Sequence, residues 1–169
     1  GLAGLVRGVP CESAIASSEM TAIAIPTESV RQLMDNNDRF ATAIIQRCYL
    51  AEIFDLISQY FKTQARNVPD LVGTARKIFT GALPADISPG QLSMANVHPT
   101  QLWFVSSNNI DTHPAGTWLL PEMLDGRICT QQPTRLVGID MRQLATQAQG
   151  QTNGQTNGQA NEQASDSPN

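Results

Sequence analysis

Charged residues are scarce in this sequence, and basic ones are the scarcer kind. Only 15% of the 169 residues are Asp, Glu, Lys or Arg, the formal net charge is −4, and the isoelectric point is near 5.0. Globular proteins carry about 25% charged residues. A domain that binds nucleic acid or an anionic membrane shows a basic excess. The composition therefore predicts no nucleic-acid partner.

Long apolar runs and patterned cysteines are also missing. No run approaches the roughly 20 apolar residues that span a bilayer, so we expect no direct membrane insertion. The start of the chain lacks a charged stretch followed by an apolar core, so we expect no secretory signal there. Cys11, Cys48 and Cys129 are an odd number at wide spacing. This predicts reduced thiols in a cytoplasmic protein.

Motifs of catalysis and metal binding are absent as well. The sequence has no Cys-x-x-Cys or His-x-x-x-His pair, no Gly-x-Ser-x-Gly elbow and no phosphate-cradling Gly-x-x-x-x-Gly-Lys-Ser/Thr loop. His98 and His113 each precede a proline, which places both in turns. We predict no catalytic residue, no metal and no cofactor. The remaining enzyme hypothesis is a cysteine nucleophile at Cys11 that meets a histidine in the fold.

The end of the chain differs in composition from the rest. Residues 147–169 are rich in Gln, Asn and Gly, repeat Gly-Gln-Thr-Asn, and contain no aromatic, branched aliphatic or basic residue. Such a segment cannot bury enough apolar surface to offset the entropy of ordering it. We predict a disordered linker, with Gln/Asn-driven self-association as the alternative, and an ordered part that ends near Leu144.

The ordered part predicts an α+β fold. Alternating apolar residues predict two short strands within 13–25, and Thr27 can cap a short helix that ends at Asn36-Asn37. Apolar steps of three and four then predict one long amphipathic helix over 38–61, with Cys48 on its apolar face. A further helix over 70–79, interrupted at Gly73, precedes a proline-rich loop and strands over 102–106, 117–120 and 135–139. Strands, then helices, then strands indicate α+β and not a βαβ repeat.

The first 61 residues have a layout that carries a resemblance. A glycine begins a short apolar helix, a Gly-x-Pro turn follows at Gly8–Pro10, and small residues lead into the two predicted strands. This layout resembles the phosphate-binding cassette and the second half of the cyclic-nucleotide-binding domain family. The first residue is Gly1 and not Met, so we expect a piece of a longer polypeptide, with the first half of the β-roll upstream.

The resemblance implies a ligand site whose charged groups are missing. In the family, a Glu after the first Gly binds the ribose and an Arg after the Pro neutralises the phosphate. Leu2 and Cys11 stand at those places, Glu12 adds a repelling charge, and Arg7 is the nearest cation. We therefore expect weak binding or none. The candidate ligand residues are Gly1, Leu2, Gly8, Pro10, Cys11, Glu12 and Ser13.

Several strings are also similar to a region of cyanobacterial-type ABC exporters that carry a cysteine-peptidase domain. They are Gly4-Leu-Val-Arg-Gly-Val-Pro-Cys-Glu-Ser-Ala-Ile-Ala-Ser17, Glu52-Ile-Phe-Asp-Leu-Ile57, Leu102-Trp-Phe-Val-Ser-Ser107 and Thr134-Arg-Leu-Val-Gly-Ile139. That resemblance implies a non-catalytic regulatory or docking module on the cytoplasmic side, with other domains of a larger transporter polypeptide as its partners. It gives three segments: a cyclic-nucleotide-binding-like part over 1–61, an extension over 62–146, and a linker over 147–169.

Two other functions remain open. The long helix could dock a partner or form a homodimer through Tyr49, Tyr60 and Phe61, although burial within the chain is the simpler expectation. A fragment of a nucleotide-responsive transcription regulator is the other, but residues 62–144 lack the basic helix-turn-helix pattern of those proteins. Trp103 and Phe104 are expected in the core, because no cations accompany them as in single-strand nucleic-acid binders.

Overall fold

The computed structural model describes residues 1–91, 98–110, 112–120, 123 and 129–149. Its helices are α1 (Leu2–Arg7), α2 (Thr27–Asn36), α3 (Asp38–Ile45), α4 (Leu50–Thr63), α5 (Leu71–Phe79) and α6 (Met141–Gln149). Its strands are β1 (Leu83–Ile87), β2 (Gly90–Gln91), β3 (Gln101–Val105), β4 (Trp118–Leu119), β5 (Cys129–Thr130) and β6 (Thr134–Asp140).

Four of the strands form one antiparallel sheet in the order β1-β6-β3-β4, while β2 and β5 form a separate antiparallel pair. In the central pair, Phe104 lies opposite Val137 and Trp103 lies opposite Gly138. Each strand pair is antiparallel, as expected for helices and strands that are segregated along the chain. The α+β prediction is confirmed.

Both faces of this sheet are buried. Since successive side chains of a strand point to opposite faces, Leu102 and Phe104 face α4, α5 and α6, whereas Trp103 and Val105 face the other way. The helix-covered face contains the larger core, made by Cys48, Ile53, Leu56, Ile57, Phe61, Ala75, Ile78, Leu102, Phe104, Val137, Ile139 and Leu144. This confirms the core positions of Cys48, Trp103 and Phe104.

Gly138 lets the opposite face close. A Cβ at this position would lie 2.0 Å from Oε1 of Gln101 and 2.9 Å from two ring carbons of Trp103. The indole therefore packs over the backbone of β6, beside Ile87, Val105, Ile110, Leu119 and Leu136. A larger residue at 138 would displace the indole from this cluster.

The single long helix predicted over 38–61 is wrong, because residues 46–49 separate α3 from α4. In a continuous helix the carbonyl of Ile45 would accept from the amide of Tyr49. Instead that carbonyl accepts from Nη1 of Arg135 at 2.8 Å, and the Tyr49 amide donates to the Glu52 carboxylate at 3.3 Å. A strand residue 90 positions away along the chain thus ends α3.

The two strands predicted within 13–25 are not formed either. Residues 11–26 make no helix or strand, and residues 12–26 are exposed throughout. Strand backbone requires a neighbouring strand to bond its amides and carbonyls, and none of the described strands pairs with this segment. Alternating apolar residues alone therefore do not make this segment a pair of strands.

The other boundaries follow local chemistry. Gly73 does not interrupt α5, because it is the position where the Asp70 side chain caps the helix by accepting from the Gly73 amide at 2.8 Å. Strand β1 contains Pro84, which predicts a loop from the sequence. Because β1 lies at the edge of the sheet, it tolerates this proline. Helix α6 was missed and reaches Gln149, three residues into the predicted linker; the remainder of that linker lies outside the described residues.

Candidate functional site

Most of the predicted cassette residues line one cavity. This cassette cavity has a volume of about 320 Å³, and its walls include Gly1, Gly8, Pro10, Cys11 and Glu12. Gly4, Leu5, Thr27 and Arg31 complete the lining, so α1 and the start of α2 enclose it together. Leu2 and Ser13 are exposed and are not part of this lining. The structure thus brings together five of the seven predicted ligand residues.

The shape of the cavity follows from a tight turn after α1. The Gly8 amide donates to the Gly4 carbonyl at 3.0 Å, and Gly8 has a φ of 67°, in the left-handed region that favours glycine. This turn reverses the chain so that the Pro10 backbone lies close to Gly4, where a Cβ would be 3.8 Å from the Pro10 Cα. The Gly-x-Pro signature is therefore a structural requirement of the cavity.

The charges of the cavity are unsuited to holding an anion firmly. The Glu12 carboxylate contacts the Gly1 nitrogen at the start of α1. Arg31 on α2 supplies the positive charge in the lining. The lining therefore sets the Glu12 carboxylate, which repels an anion, against the single guanidinium of Arg31. Arg31 was not among the predicted ligand residues, because it comes from a helix 20 residues downstream of Cys11.

Arg7, the nearest cation in the cassette sequence, does not line the cavity and serves as an anchor. Its buried guanidinium contacts Asp55 on α4 through Nη2 at 2.7 Å and donates from Nε to the Ser106 carbonyl at 2.9 Å. These bonds fasten α1 to α4 and to the end of β3. A phosphate in the cassette cavity would receive no charge from it.

A second cavity of about 240 Å³ lies next to the first and shares Leu5 and Arg31 with it. Asp86, Ser107, Asn109 and Arg135 supply polar groups in its lining. However, the guanidinium of Arg135 uses its donors within the chain and is therefore not available to a ligand.

That guanidinium forms a buried ion pair with Glu52. Nε of Arg135 lies 2.7 Å from Oε1 of Glu52, Nη2 lies 3.2 Å from Oε2, and both side chains are buried. Nη1 also contacts the Asp86 carboxylate at 3.3 Å, and Nη2 bonds the Arg47 carbonyl at 2.6 Å. Burial alone would lower the pKa of Arg135, but its bonds with Glu52 raise that pKa overall. The Arg135 guanidinium therefore stays protonated despite its burial.

Glu52 has further partners that make the pair a structural centre. The Ser106 hydroxyl donates to Oε1 of Glu52 at 2.6 Å, and the Ser107 hydroxyl accepts from the Arg135 amide at 3.0 Å. The sequence carried a signal that was overlooked: Glu52 is four residues from Cys48 and from Leu56, on the buried face of α4. A carboxylate at such a position needs a buried cation.

The cysteines show no catalytic arrangement in the part of the chain that the structure describes. Burial raises the pKa of the Cys48 thiol to about 12, with the Glu52 carboxylate adding to the effect. Cys11 is partly buried and Cys129 is exposed, and neither forms a disulfide. His98 and His113 bond their neighbours Thr100 and Thr112 and not a thiol. No group of three potential metal ligands occurs among the described residues.

The aromatic interface candidates contribute to this chain's own packing. The Tyr49 hydroxyl donates to the Ile44 carbonyl at 2.9 Å, and Phe61 is buried in the larger core. Tyr60 is half-buried, with edge contacts to Phe104 and Trp118 at ring-centre distances of 5.7 and 5.2 Å. Their packing matches the simpler expectation of burial within the chain.

Comparison of the chain with protein families, with curated proteins and with solved structures found no match. Among the described residues, no helix has the length and apolar character needed to cross a bilayer.

Proposed function

We propose that this chain is a non-catalytic regulatory or docking module that resembles a degenerate cyclic-nucleotide-binding domain. We place it in the cytoplasmic part of a bacterial peptidase-containing ABC exporter, on the strings quoted above. The observation that carries the proposal is the cassette cavity, in which predicted ligand residues converge while the charges that would hold a nucleotide are lacking. A cavity that is lined by the cassette residues but lacks the charges for a ligand fits a regulatory domain that does not bind a nucleotide.

The expected consequence is weak binding of cyclic AMP and cyclic GMP, or none. Hydrogen bonds to a charged group contribute about 1.5–3 kcal/mol each, and every 1.4 kcal/mol is about tenfold in affinity. The chain has Cys11 where the family has a phosphate-binding Arg, and its Glu12 carboxylate faces the same cavity. Both differences act against an anionic ligand.

A second candidate is a protein-interaction domain that needs no small ligand. The exposed aliphatic side chains of residues 11–26 favour it, because isolated exposed apolar residues are normal but a run of them marks an interaction site. These side chains are Ile15, Met20, Ile23 and Ile25. The two candidates differ in whether the cassette cavity takes part.

Calorimetry with cyclic AMP and cyclic GMP tests the proposal. The natural chain should give no binding heat at concentrations of about 100 µM, whereas a Cys11→Arg variant, which adds a cation to the cavity lining, should gain affinity by tens to hundreds of fold. Cys129→Arg adds the same charge at an exposed position on β5 and should gain nothing. Low-micromolar binding by the natural chain, or by the gene's full-length product, would overturn the proposal.

The exporter context has a separate test. Reading the gene on both sides of this sequence should reveal the first half of a β-roll upstream and a cysteine-peptidase domain downstream. A DNA-binding segment downstream would instead support the transcription-regulator alternative and refute the exporter assignment.

A further inference from the structure

A shallow groove lies where α4 ends and α5 begins, away from the cassette cavity. We call it the α4–α5 groove; its volume is about 400 Å³. Phe61, Val68 and Leu71 supply its apolar surface, and all three also pack in or against the larger core. Lys62 and Arg66 are exposed and line the same groove. The groove therefore offers apolar contacts next to two cations.

The backbone at the end of α4 holds this groove in shape. The Arg66 amide donates to the Phe61 carbonyl at 2.9 Å and the Ala65 amide donates to the Lys62 carbonyl at 3.1 Å. Ala65 has a φ of 51°, in the left-handed conformation that ends helices in this type of turn. Because the turn is closed by its own hydrogen bonds, the groove exists before any partner arrives.

The groove belongs to the most basic stretch of an acidic chain. Residues 62–77 contain four cations, Lys62, Arg66, Arg76 and Lys77, and one carboxylate, Asp70, although the net charge of the whole chain is −4. None of these four cations forms an ion pair within the described residues. Of these, Lys62 and Arg66 line the groove, so their charge is available to an acidic partner there.

The same chain carries a segment of the opposite character. Residues 11–26, which we call the extended segment, contain Glu12 and Glu19 and no Lys or Arg. Its side chains at Ile15 and Ile23 are each 89% exposed, and Met20 is 64% exposed. Glu12 lines the cassette cavity, whereas Glu19, next to Met20, is exposed in the middle of the segment.

We propose that the extended segment of one copy docks in the α4–α5 groove of a second copy. Met20 and Ile23 cover the apolar surface, and the Glu19 carboxylate meets Lys62 and Arg66. Exchange of the segment in both directions fills both grooves and closes a two-fold dimer. The dimer goes beyond the proposed function, since it involves neither a nucleotide nor the cassette cavity. It also differs from a dimer in which the aromatic residues of α4 contact each other, because here the groove of one copy contacts the extended segment of the other.

A second copy fits these observations better than other partners. The groove is concave, and its apolar residues lie between helices, so a flat lipid surface would not reach them. Nucleic acid would require a basic face much wider than residues 62–77 on a chain of net negative charge. The extended segment, in contrast, combines exposed apolar side chains with an acidic group, as the groove requires, and is present at the same concentration.

Charge exchange between two variants tests the docking, with sedimentation velocity as the measurement. The natural chain should dimerise with increasing concentration. Lys62→Glu/Arg66→Glu should weaken the dimer by at least about tenfold, and Glu19→Lys should do the same, because each variant opposes like charges. An equal mixture of the two variants should form a dimer again, since each acidic segment then meets a basic groove and each basic segment meets an acidic groove.

Controls separate docking from general effects of charge. Arg76→Glu/Lys77→Glu makes the same change in charge on α5, outside the groove, and should leave the dimer intact. Met20→Ser/Ile23→Ser alters exposed residues only, so it should fold normally and remain monomeric. A natural chain that stays monomeric at several hundred micromolar would overturn the proposal. So would a dimer that survives all the groove and segment variants, or a mixture that fails to restore it. Nucleotide calorimetry is independent of these outcomes.

Discussion

The first 45 residues and the residues from α4 onward are built on different principles. Helices α1, α2 and α3 bury only Ala3, Arg7 and Ile44 between them. From α4 onward, helices cover one face of a sheet whose two central strands are buried almost throughout. The first region is fastened to the second by a few polar contacts, whereas the second has its own apolar core.

The two regions therefore contribute very differently to the stability of the fold. Burying a large aliphatic side chain contributes about 1.5–3 kcal/mol to stability, and the region from α4 to α6 buries many such side chains. The extended segment leaves its aliphatic side chains exposed to water and gains almost none of this stabilisation. The second region therefore supplies most of the apolar burial that stabilises the fold, and the first region leaves apolar side chains exposed.

Breaking the buried ion pair should have the largest effect, because both regions depend on it. Arg135→Met leaves the Glu52 carboxylate buried without its cation and leaves the carbonyls of Ile45 and Arg47 unpaired. The free energy of unfolding should fall by about 3–5 kcal/mol in chemical denaturation. Arg142→Met removes an exposed pair with Asp140 and should leave that free energy unchanged within error. Equal losses in the two variants would refute the structural role of the pair.

An isoleucine-to-alanine substitution should change the free energy of unfolding by very different amounts in the two regions. Ile53→Ala empties a fully buried position in the larger core and should cost about 2–5 kcal/mol. Ile15→Ala acts on a side chain that is 89% exposed and should change stability by less than about 0.5 kcal/mol. Denaturation of dilute protein measures both. A large loss at Ile15 would mean that the extended segment is buried within its own chain in solution.

The free energy of unfolding should depend on pH through the Cys48 thiol, which is buried in the larger core. Its pKa is about 12 in the folded chain, against an ordinary value of 9.0. Below pH 9 the thiol is protonated in both states and its contribution is complete. As pH rises from 9 to 12, only the unfolded chain ionises, so stability falls by at most about 1.4 kcal/mol per pH unit.

Cys48→Ala provides the reference for that measurement, because tyrosines and lysines titrate in the same range. The advantage of the natural chain over this variant should be constant from pH 7 to 8.5 and should then shrink with increasing alkalinity. An advantage that is independent of pH up to 11 would contradict a buried, protonated thiol.

Local pattern was sufficient where the neighbours along the chain decide the structure. The apolar spacing predicted helical structure over most of α4, although not its separation from α3, and the continuous apolar run predicted β3 and the burial of Phe104. The cassette layout brought Gly1, Gly8 and Pro10 to one cavity because a short helix and a glycine turn are local features.

Distant contacts explain what pattern could not predict. The end of α3 depends on a guanidinium 90 residues away, and the fate of Arg7 depends on Asp55 and on the Ser106 carbonyl. The alternation within the extended segment predicts strands, but none of the described strands pairs with it, and a local window of sequence does not contain that information. Arg31 entered the cavity for a similar reason, since α2 folds back onto α1.

The position of Arg135 in the chain has a consequence for biosynthesis. The junction between α3 and α4 is closed by a residue that leaves the ribosome long after both helices have emerged. Until then, nascent Glu52 lacks its cation and the carbonyls of Ile45 and Arg47 lack their donor, so this junction can reach its final geometry only after β6 has been synthesised.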